Sequence, residues 1–312
     1  MGRLLCRALV REGHECVILS RKAPLTGVAR PHVRHAVWDG RTLGPWAAEI
    51  DGADVVVNLA GRSVDCRYNQ QNLDEMMRSR VESTRVVGEA IAAAKTPPRV
   101  WLQASTATIY AHRFDAPNDE LTGMIGGTEP DAPPLWRKSI EIAQAWEAEL
   151  TAAPTPRTRK VALRSAMTMS PDRGGIFHVL ARHCRLGFGR FGDGRQYISW
   201  VHGHDFVAAV LFLVAQDDLA GVFNICSPNP LPNRDFIAGL NAALGRRFAL
   251  PVPRWAVEIG ACFWRTESEL VLKSRRVVPT RLLNAGFTFR YPDWPGAARE
   301  LAERFNGGGI HS

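Results

Sequence analysis

The sequence predicts an α/β protein, a doubly wound parallel sheet that carries a smaller, mainly helical C-terminal lobe. Three observations point there. Short apolar runs alternate with helix-spaced segments over the first 170 residues, the rhythm of parallel strands joined by crossover helices. Runs such as DVVVNLAG (54–61) are apolar throughout rather than alternating, as strands covered on both faces must be. Beyond residue 170 the strands thin out and helical segments punctuated by Gly and Pro take over.

Taken in order, residues 2–12 place Leu4, Leu5, Ala8 and Leu9 at helical spacing, and Gly13 ends that helix. CVILS (16–20), HVRHAVW (32–38) and DVVVNLAG (54–61) read as strands. A long helix spans 70–94, and Pro97-Pro98 separates it from the strand VWLQAS (100–105). A helix over 135–151 leads to the strand KVALRSAM (160–167). Helix 175–186 precedes an irregular Gly/aromatic stretch (187–205), then a helix over 204–215 and a strand at 221–226. Asn233 is the expected cap of a helix running through 244. The remainder is helical, with the Arg275-Arg276 pair expected on a helix surface. The residues 204–226 are expected to return to the sheet.

Composition narrows the function classes. With 312 residues, 46% hydrophobic and 22% charged, the chain has material for a substantial core and is no disordered or low-complexity segment. No apolar run approaches the ~18 residues of a membrane-spanning helix, and the first residues lack a signal-peptide apolar block. The six Cys (Cys6, Cys16, Cys66, Cys184, Cys226, Cys262) form no C-x-x-C pair and read as thiols of a reduced, cytoplasmic compartment. The net charge of +8 comes from dispersed Arg, which argues against nucleic acid and leaves room for anion binding.

Asn58-Leu59-Ala60-Gly61, ASTATIY (104–110) and the strand-end Arg164 resemble the extended short-chain dehydrogenases. Within them, SRVESTR (79–85), Ala145–Glu147, GDGRQYISWVHGHD (192–205), NICSPNPLPN (224–233), LPVPRWAVEIG (250–260) and ESELVLKSRRVVPTRLLNAGFTFRYP (267–292) resemble the NAD-dependent epimerase/dehydratase-like proteins with a C-terminal DUF1731 segment. The resemblance implies a Rossmann-type dinucleotide-binding domain over 1–170 and a substrate or cap lobe over 171–312, with 249–296 the DUF1731-like part. Family membership alone does not establish function.

The resemblance also assigns candidate cofactor residues. The family's Gly-rich turn places backbone N–H groups at a helix N-terminus to hold a pyrophosphate. Gly2 matches the last glycine of that turn, and the first strand is absent. Two explanations fit: a start assigned roughly a dozen residues late, or a truly shortened protein. The first is favoured, because losing a central parallel strand would expose its apolar neighbours. Arg21, with Lys22 beside it, stands at a strand end where an acidic residue would take a ribose hydroxyl. A basic residue there suits a 2′-phosphate, which favours NADP over NAD. Leu59, Ala60, Gly61 and Ala104 are expected along the cofactor, and Asp39 near the adenine, although Asp39 is equally a turn residue.

The catalytic region departs from the parent superfamily, which pairs a Ser or Thr with a Tyr and with a Lys four residues beyond it. Thr106 matches the Ser/Thr position, but no Tyr here has a Lys four residues on. Aligned on Glu147, Ser139 and Ala143 stand where that Tyr and Lys belong. Tyr110 is an alternative catalytic candidate, with no cation expected nearby and a phenol therefore near its ordinary value of about 10. Arg195 is a candidate anion hook, with Trp200 and His202 as further cleft residues and Tyr197 beside them. His202 and His204 could supply a proton near neutral pH, but His202 and Asp205 are read first as fasteners of the lobe, and H-G-H-D gives no third ligand for a metal. Met167 replaces the Asn with which nucleotide-sugar enzymes bind substrate. Two readings stay open: an NADP(H)-dependent epimerase- or reductase-like enzyme for a small or nucleotide-linked substrate, and a non-catalytic NADP(H)-binding sensor or partner-binding protein, with homodimerisation open in either case.

Overall fold

The computed structural model describes residues 1–22, 31–130, 132–263 and 267–307. Its frame is a four-stranded parallel sheet in the order β10 (Gly221–Ile225), β5 (Arg159–Ser165), β4 (Val100–Thr106), β3 (Val55–Asn58). The next two parallel strands, β1 (Cys16–Ser20) and β2 (Val33–Val37), form a separate ribbon. The expected sheet is therefore present in two hydrogen-bonded pieces, and among the described residues no strand joins β1 to β3.

Strand alternation decides what packs where. Val55, Val57, Val100, Leu102, Val161, Leu163, Phe223 and Ile225 face α1 (Gly2–Arg11) and α5 (Gly203–Ala215), meeting Leu5, Phe206, Val210 and Leu213. The intervening Val56, Trp101 and Ala162 face α2 (Gln70–Ala93) and α3 (Pro134–Ala152), against Val86, Val87, Ile91 and Leu150. Leu19 and Ala36 of the ribbon join this second cluster. Both faces are covered, so the strands are apolar at nearly every position. Gly13 closes α1 as expected: its φ of +84° lies in the left-handed region, which L side chains avoid.

The irregular stretch after residue 187 holds short strands. β6 (Met167–Met169) pairs with β9 (Trp200–His202), β7 (Phe188–Phe191) with β12 (Leu250–Val252), and β8 (Tyr197–Ile198) with β11 (Leu231–Pro232). Around them α4 (Ile176–Arg185), α6 (Asn233–Ala243) and α10 (Trp294–Gly307) enclose a second core. There Phe236 stacks on Trp294 at 3.9 Å and Trp200 meets Trp294 edge-on at 4.9 Å. Asn233 is not a cap but the first residue of α6. Its Oδ1 accepts from Phe191 N at 2.8 Å and ties the helix to β7.

α7 (Arg254–Phe263), α8 (Glu269–Leu272) and α9 (Thr280–Asn284) complete the chain order. Between α8 and α9, residues 273–279 run extended beside the loop that follows β4. Asn118 N donates to Arg276 O at 2.7 Å, and Val278 N donates to Asn118 O at 3.0 Å. The Arg275-Arg276 pair therefore lies outside any helix, because this segment finds its backbone partners across the fold rather than within a turn. That threading brings the C-terminal part of the chain to the carboxyl end of the sheet.

Candidate functional site

A cavity of about 80 Å³ lies at the carboxyl end of β4. Thr106 and Thr108 contribute the strand end and the turn beyond it, Ser139 and Ala143 the facing side of α3, Tyr68 the segment just before α2, Arg80 the middle of α2, and Arg275 the C-terminal segment. The structure thus places Ser139 and Ala143 opposite Thr106, in the arrangement implied by aligning on Glu147. A larger surface groove of about 560 Å³ runs along β5, β10 and the end of α3, around Lys160, and has no catalytic candidate in its wall.

Local sequence explains the near wall. Thr106 ends β4, and its hydroxyl accepts from Thr108 N at 3.1 Å, which turns the chain. Asn58 ends β3 with its amide donating to Gln103 Oε1 at 3.0 Å and its own oxygen accepting from Ala60 N at 3.0 Å. Gly61 follows, and a Cβ there would sit 3.4 Å from Arg80 Cγ and Cζ. The absence of a side chain at 61 lets Arg80 lie flat over the strand end. Its guanidinium donates to Met76 O and Arg62 O and stands 5.0 Å over the Trp146 ring.

The far wall was not legible in the sequence. Ser139 Oγ donates to Glu269 Oε2 at 2.6 Å across 130 residues of chain. Glu269 Oε1 stands 3.7 Å from Lys273 Nζ, which donates to Thr108 O at 2.9 Å. Arg275 Nε donates to Thr108 Oγ1 at 3.1 Å. Glu269 and Lys273 are both buried, at 1% exposure each. Burial pushes the Glu269 carboxyl up, against the pull of Arg275 and Lys273. The same desolvation lowers the Lys273 ammonium to about 8 despite Glu269 beside it. The only trace of these residues in the sequence is their place within the family-like segment 267–292.

Other candidates lie elsewhere. Tyr110 is buried away from the cavity: its hydroxyl donates to Asn224 Oδ1 at 3.0 Å and accepts from Arg164 Nη1 at 2.9 Å. Burial raises its pKa, with Arg164 opposing, so the expected ordinary phenol without a neighbouring cation is corrected on both counts. Trp200 and His202 do not line a cleft either; both are buried in lobe packing. His202 Nδ1 accepts from His204 N at 3.1 Å and caps α5, which leaves Nε2 to donate to Glu300 Oε2 at 2.9 Å. Its pKa is lowered by burial, with Glu300 opposing. Asp205 accepts from Arg290 N and Tyr291 N, fastening the lobe. Arg195 is exposed and paired with Asp193 at 2.8 Å, outside the cavity wall.

The cofactor candidates are arranged around the strand ends. Gly2 starts α1 beside Leu59, where an added Cβ would stand 3.8 Å from Leu59 Cδ1. No side chain caps α1 and its first turn carries no acid, so its first N–H groups are open to an anion. Arg21 and Lys22 are exposed at the end of β1. These residues fit the phosphates of a dinucleotide. Asp39 commits its carboxylate to its own turn, accepting from Thr42 N, the Thr42 hydroxyl and Arg41 N, which holds it down at about 2. Ala104 is buried within β4. Among the described residues no group of three His, Cys, Asp or Glu side chains is arranged to hold a metal, and no helix is long and apolar enough to cross a membrane.

Two family models match the chain. Residues 1–226 match the model of the NAD dependent epimerase/dehydratase family, and 252–301 match a domain of unknown function, DUF1731. Human epimerase family protein SDR39U1 is 30% identical over 305 residues, 96% of each chain. Epimerase family protein YfhF of Bacillus subtilis is 27% identical over 96% of this chain and 94% of its own. A crystal structure of human SDR39U1 isoform 2 with NADPH superposes with a TM-score of 0.82 at 29% identity, covering 97% of this chain and 95% of that one. MoeE5 in complex with UDP-glucose and NAD, at 18% identity and a TM-score of 0.72 over 99% of this chain and 96% of its own, shares the fold. The chain belongs to the NAD-dependent epimerase/dehydratase family, with a DUF1731 segment at its C-terminal end.

Proposed function

We propose that this protein is an NADP(H)-dependent, epimerase- or reductase-like enzyme that handles a small or nucleotide-linked carbonyl substrate at the Thr106 cavity without a Tyr/Lys pair on α3. The observation that carries the reading is the meeting of Thr106, Ser139 and Ala143 in one cavity at the strand ends. When bound, a dihydronicotinamide would supply the hydride for a carbonyl carbon. Thr106 would hydrogen-bond the reacting oxygen, while Arg80 and Arg275 bring positive charge to the same wall. Arg21 would hold the 2′-phosphate, a choice supported by the human relative solved with NADPH.

Fluorescence titration tests the cofactor. NADPH is expected to bind in the micromolar range and NADH more weakly. Arg21→Glu should weaken NADPH about tenfold or more while leaving NADH within a few-fold. Equal loss for both nucleotides would remove the 2′-phosphate role. Turnover is then read against carbonyl and sugar-nucleotide panels. A second reading, a non-catalytic NADP(H)-binding sensor, is favoured by Ala143, which puts no charge where the family's Lys stands. NADPH binding without turnover across the panels would select it, and no binding would overturn both.

A further inference from the structure

The cavity beside Thr106 is cationic. Among the described residues Arg80 and Arg275 are the charged side chains in its wall, and no carboxylate lines it. Neutral oxygens hold both guanidiniums in place. Arg80 donates to Met76 O at 3.0 Å and to Arg62 O at 3.1 Å, and lies over the Trp146 ring. Arg275 donates to Thr108 Oγ1 and to the carbonyls of Glu269, Leu270 and Lys273. Such acceptors orient a guanidinium but do not cancel its charge. No carboxylate pairs with Arg80 among the described residues. Glu269 is the acid within reach of Arg275, but it already takes the Ser139 hydroxyl and stands 3.7 Å from Lys273. Burial lowers the proton affinity of both arginines, the mark of a poorly solvated charge.

We propose that Arg80 and Arg275 bind the carboxylate of a short oxo acid whose carbonyl oxygen lies at Thr106. The inference rests on the cavity being the substrate site, and it names the class of substrate that site takes. A desolvated charge without a counter-charge is costly, and a ligand anion removes that cost on binding. Size sets the next limit. The cavity's 80 Å³ is room for a few waters or for a carboxylate on a short stem, against the ~300 Å³ or more of a pocket that encloses a drug-sized ligand. Carbonyl and carboxylate must therefore be near neighbours in the substrate.

The available donors and the local charge agree with this class. Thr106 Oγ1 accepts from Thr108 N, which leaves its own proton to donate to a carbonyl oxygen. Arg80 uses its two terminal nitrogens on Met76 O and Arg62 O, one bond each among the described residues, so N–H groups of its planar fork remain for a carboxylate. Three cations, Arg80, Arg275 and Lys273, are set against two carboxylates, Glu269 and Glu129. The difference is one positive charge, which a carboxylate monoanion matches and a phosphate dianion exceeds.

Isothermal titration calorimetry of the full chain tests the assignment. The probes are pyruvate and 3-oxobutanoate, each set against its uncharged amide, and inorganic phosphate. The acids are expected to bind at least about tenfold tighter than their amides. Arg80→Met should weaken the acids about tenfold or more and leave the amides within about twofold. Arg80→Lys should restore part of that loss, since it returns the charge without the fork. Arg275→Met should act in the same direction. Should it fail to fold for want of its bonds to the α8 carbonyls, the Arg80 variants and the acid–amide contrast still decide. Acids and amides that bind alike, no binding of either acid up to ~10 mM, or acid binding that survives Arg80→Met would overturn the proposal. So would phosphate binding more tightly than both acids.

Repeating the titration with NADPH present separates the two sources of an anion. The acids should bind at least as tightly when NADPH is bound. Displacement of the acids by NADPH would assign the arginines to the phosphates of the cofactor and overturn their substrate role. Failure of NADPH to bind would overturn the cofactor reading alone, and leaves the arginines to be judged by the acid–amide contrast.

Discussion

Two buried polar networks flank β4, and they are built to opposite rules. In the first, Arg164 grips Glu147 with two hydrogen bonds of 2.8 and 2.7 Å, Ser105 donates to the same carboxylate, and Tyr110 bridges Arg164 to Asn224. Both carboxylate oxygens and the phenol are partnered. In the second, Glu269 leaves one oxygen without a hydrogen bond among the described residues, Lys273 stands off at 3.7 Å, and Tyr68 borders open space. A saturated network has no site for a transferred proton, and its contribution is rigidity. An unsaturated one beside a cavity holds groups that can still exchange partners.

The largest expected effect breaks the first network. Glu147→Ala leaves the Arg164 guanidinium buried without its partner and should cost about 3–5 kcal/mol, read as the shift in a denaturant midpoint. A loss below ~1 kcal/mol would show that Arg164 reaches water or another acceptor, and the contrast would fail. Tyr110→Phe removes one donor and one acceptor from the same network and should cost about 1–3 kcal/mol. NADPH affinity should stay unchanged, since Tyr110 lies outside the cavity wall. A cofactor-binding defect would return Tyr110 to the site.

The second network should show itself through pH. The folded Lys273 value, about 8, lies below the ordinary lysine value of 10.5. Below pH 8 both states bind the proton, and the folded chain bears the full cost of a buried ammonium. Between about 8 and 10.5 the unfolded chain binds more protons, so this group makes stability rise with pH. The stability difference between the unsubstituted chain and Lys273→Met should therefore move in favour of the unsubstituted chain from pH 7 to pH 10. A pH-independent difference would mean that Lys273 titrates normally. The smallest effect is set by the exposed pair at the surface: Arg195→Ala should change stability by no more than ~0.5 kcal/mol. NADPH affinity should not move either, and a loss would restore Arg195 as an anion site.

The fold was legible wherever its signal is local. The apolar runs at 54–61 and 160–167 mark covered strands because burial on both faces removes alternation, and the helices at 70–94 and 135–151 were found to within one residue at each end by spacing and by Pro punctuation. Thr106, Ser139 and Ala143 could be placed because strand-end and helix positions follow from motif spacing. Trp200 and His202 were misplaced because an aromatic or His in a Gly-rich stretch has the same local pattern in a cleft as in a packed lobe. Only burial separates the two.

By itself the sequence determined the parallel strands, the helices between them, Thr106 at a strand end and the missing Tyr/Lys pair. The tertiary structure alone decided what stands in that gap. Ser139 and Glu269 are separated by 130 residues, and their meeting is accompanied by residues 273–279 finding backbone partners beside the β4 loop. Periodicity and spacing describe a chain against itself over one or two turns, whereas a polar chain assembled from three distant segments has no local signature to read.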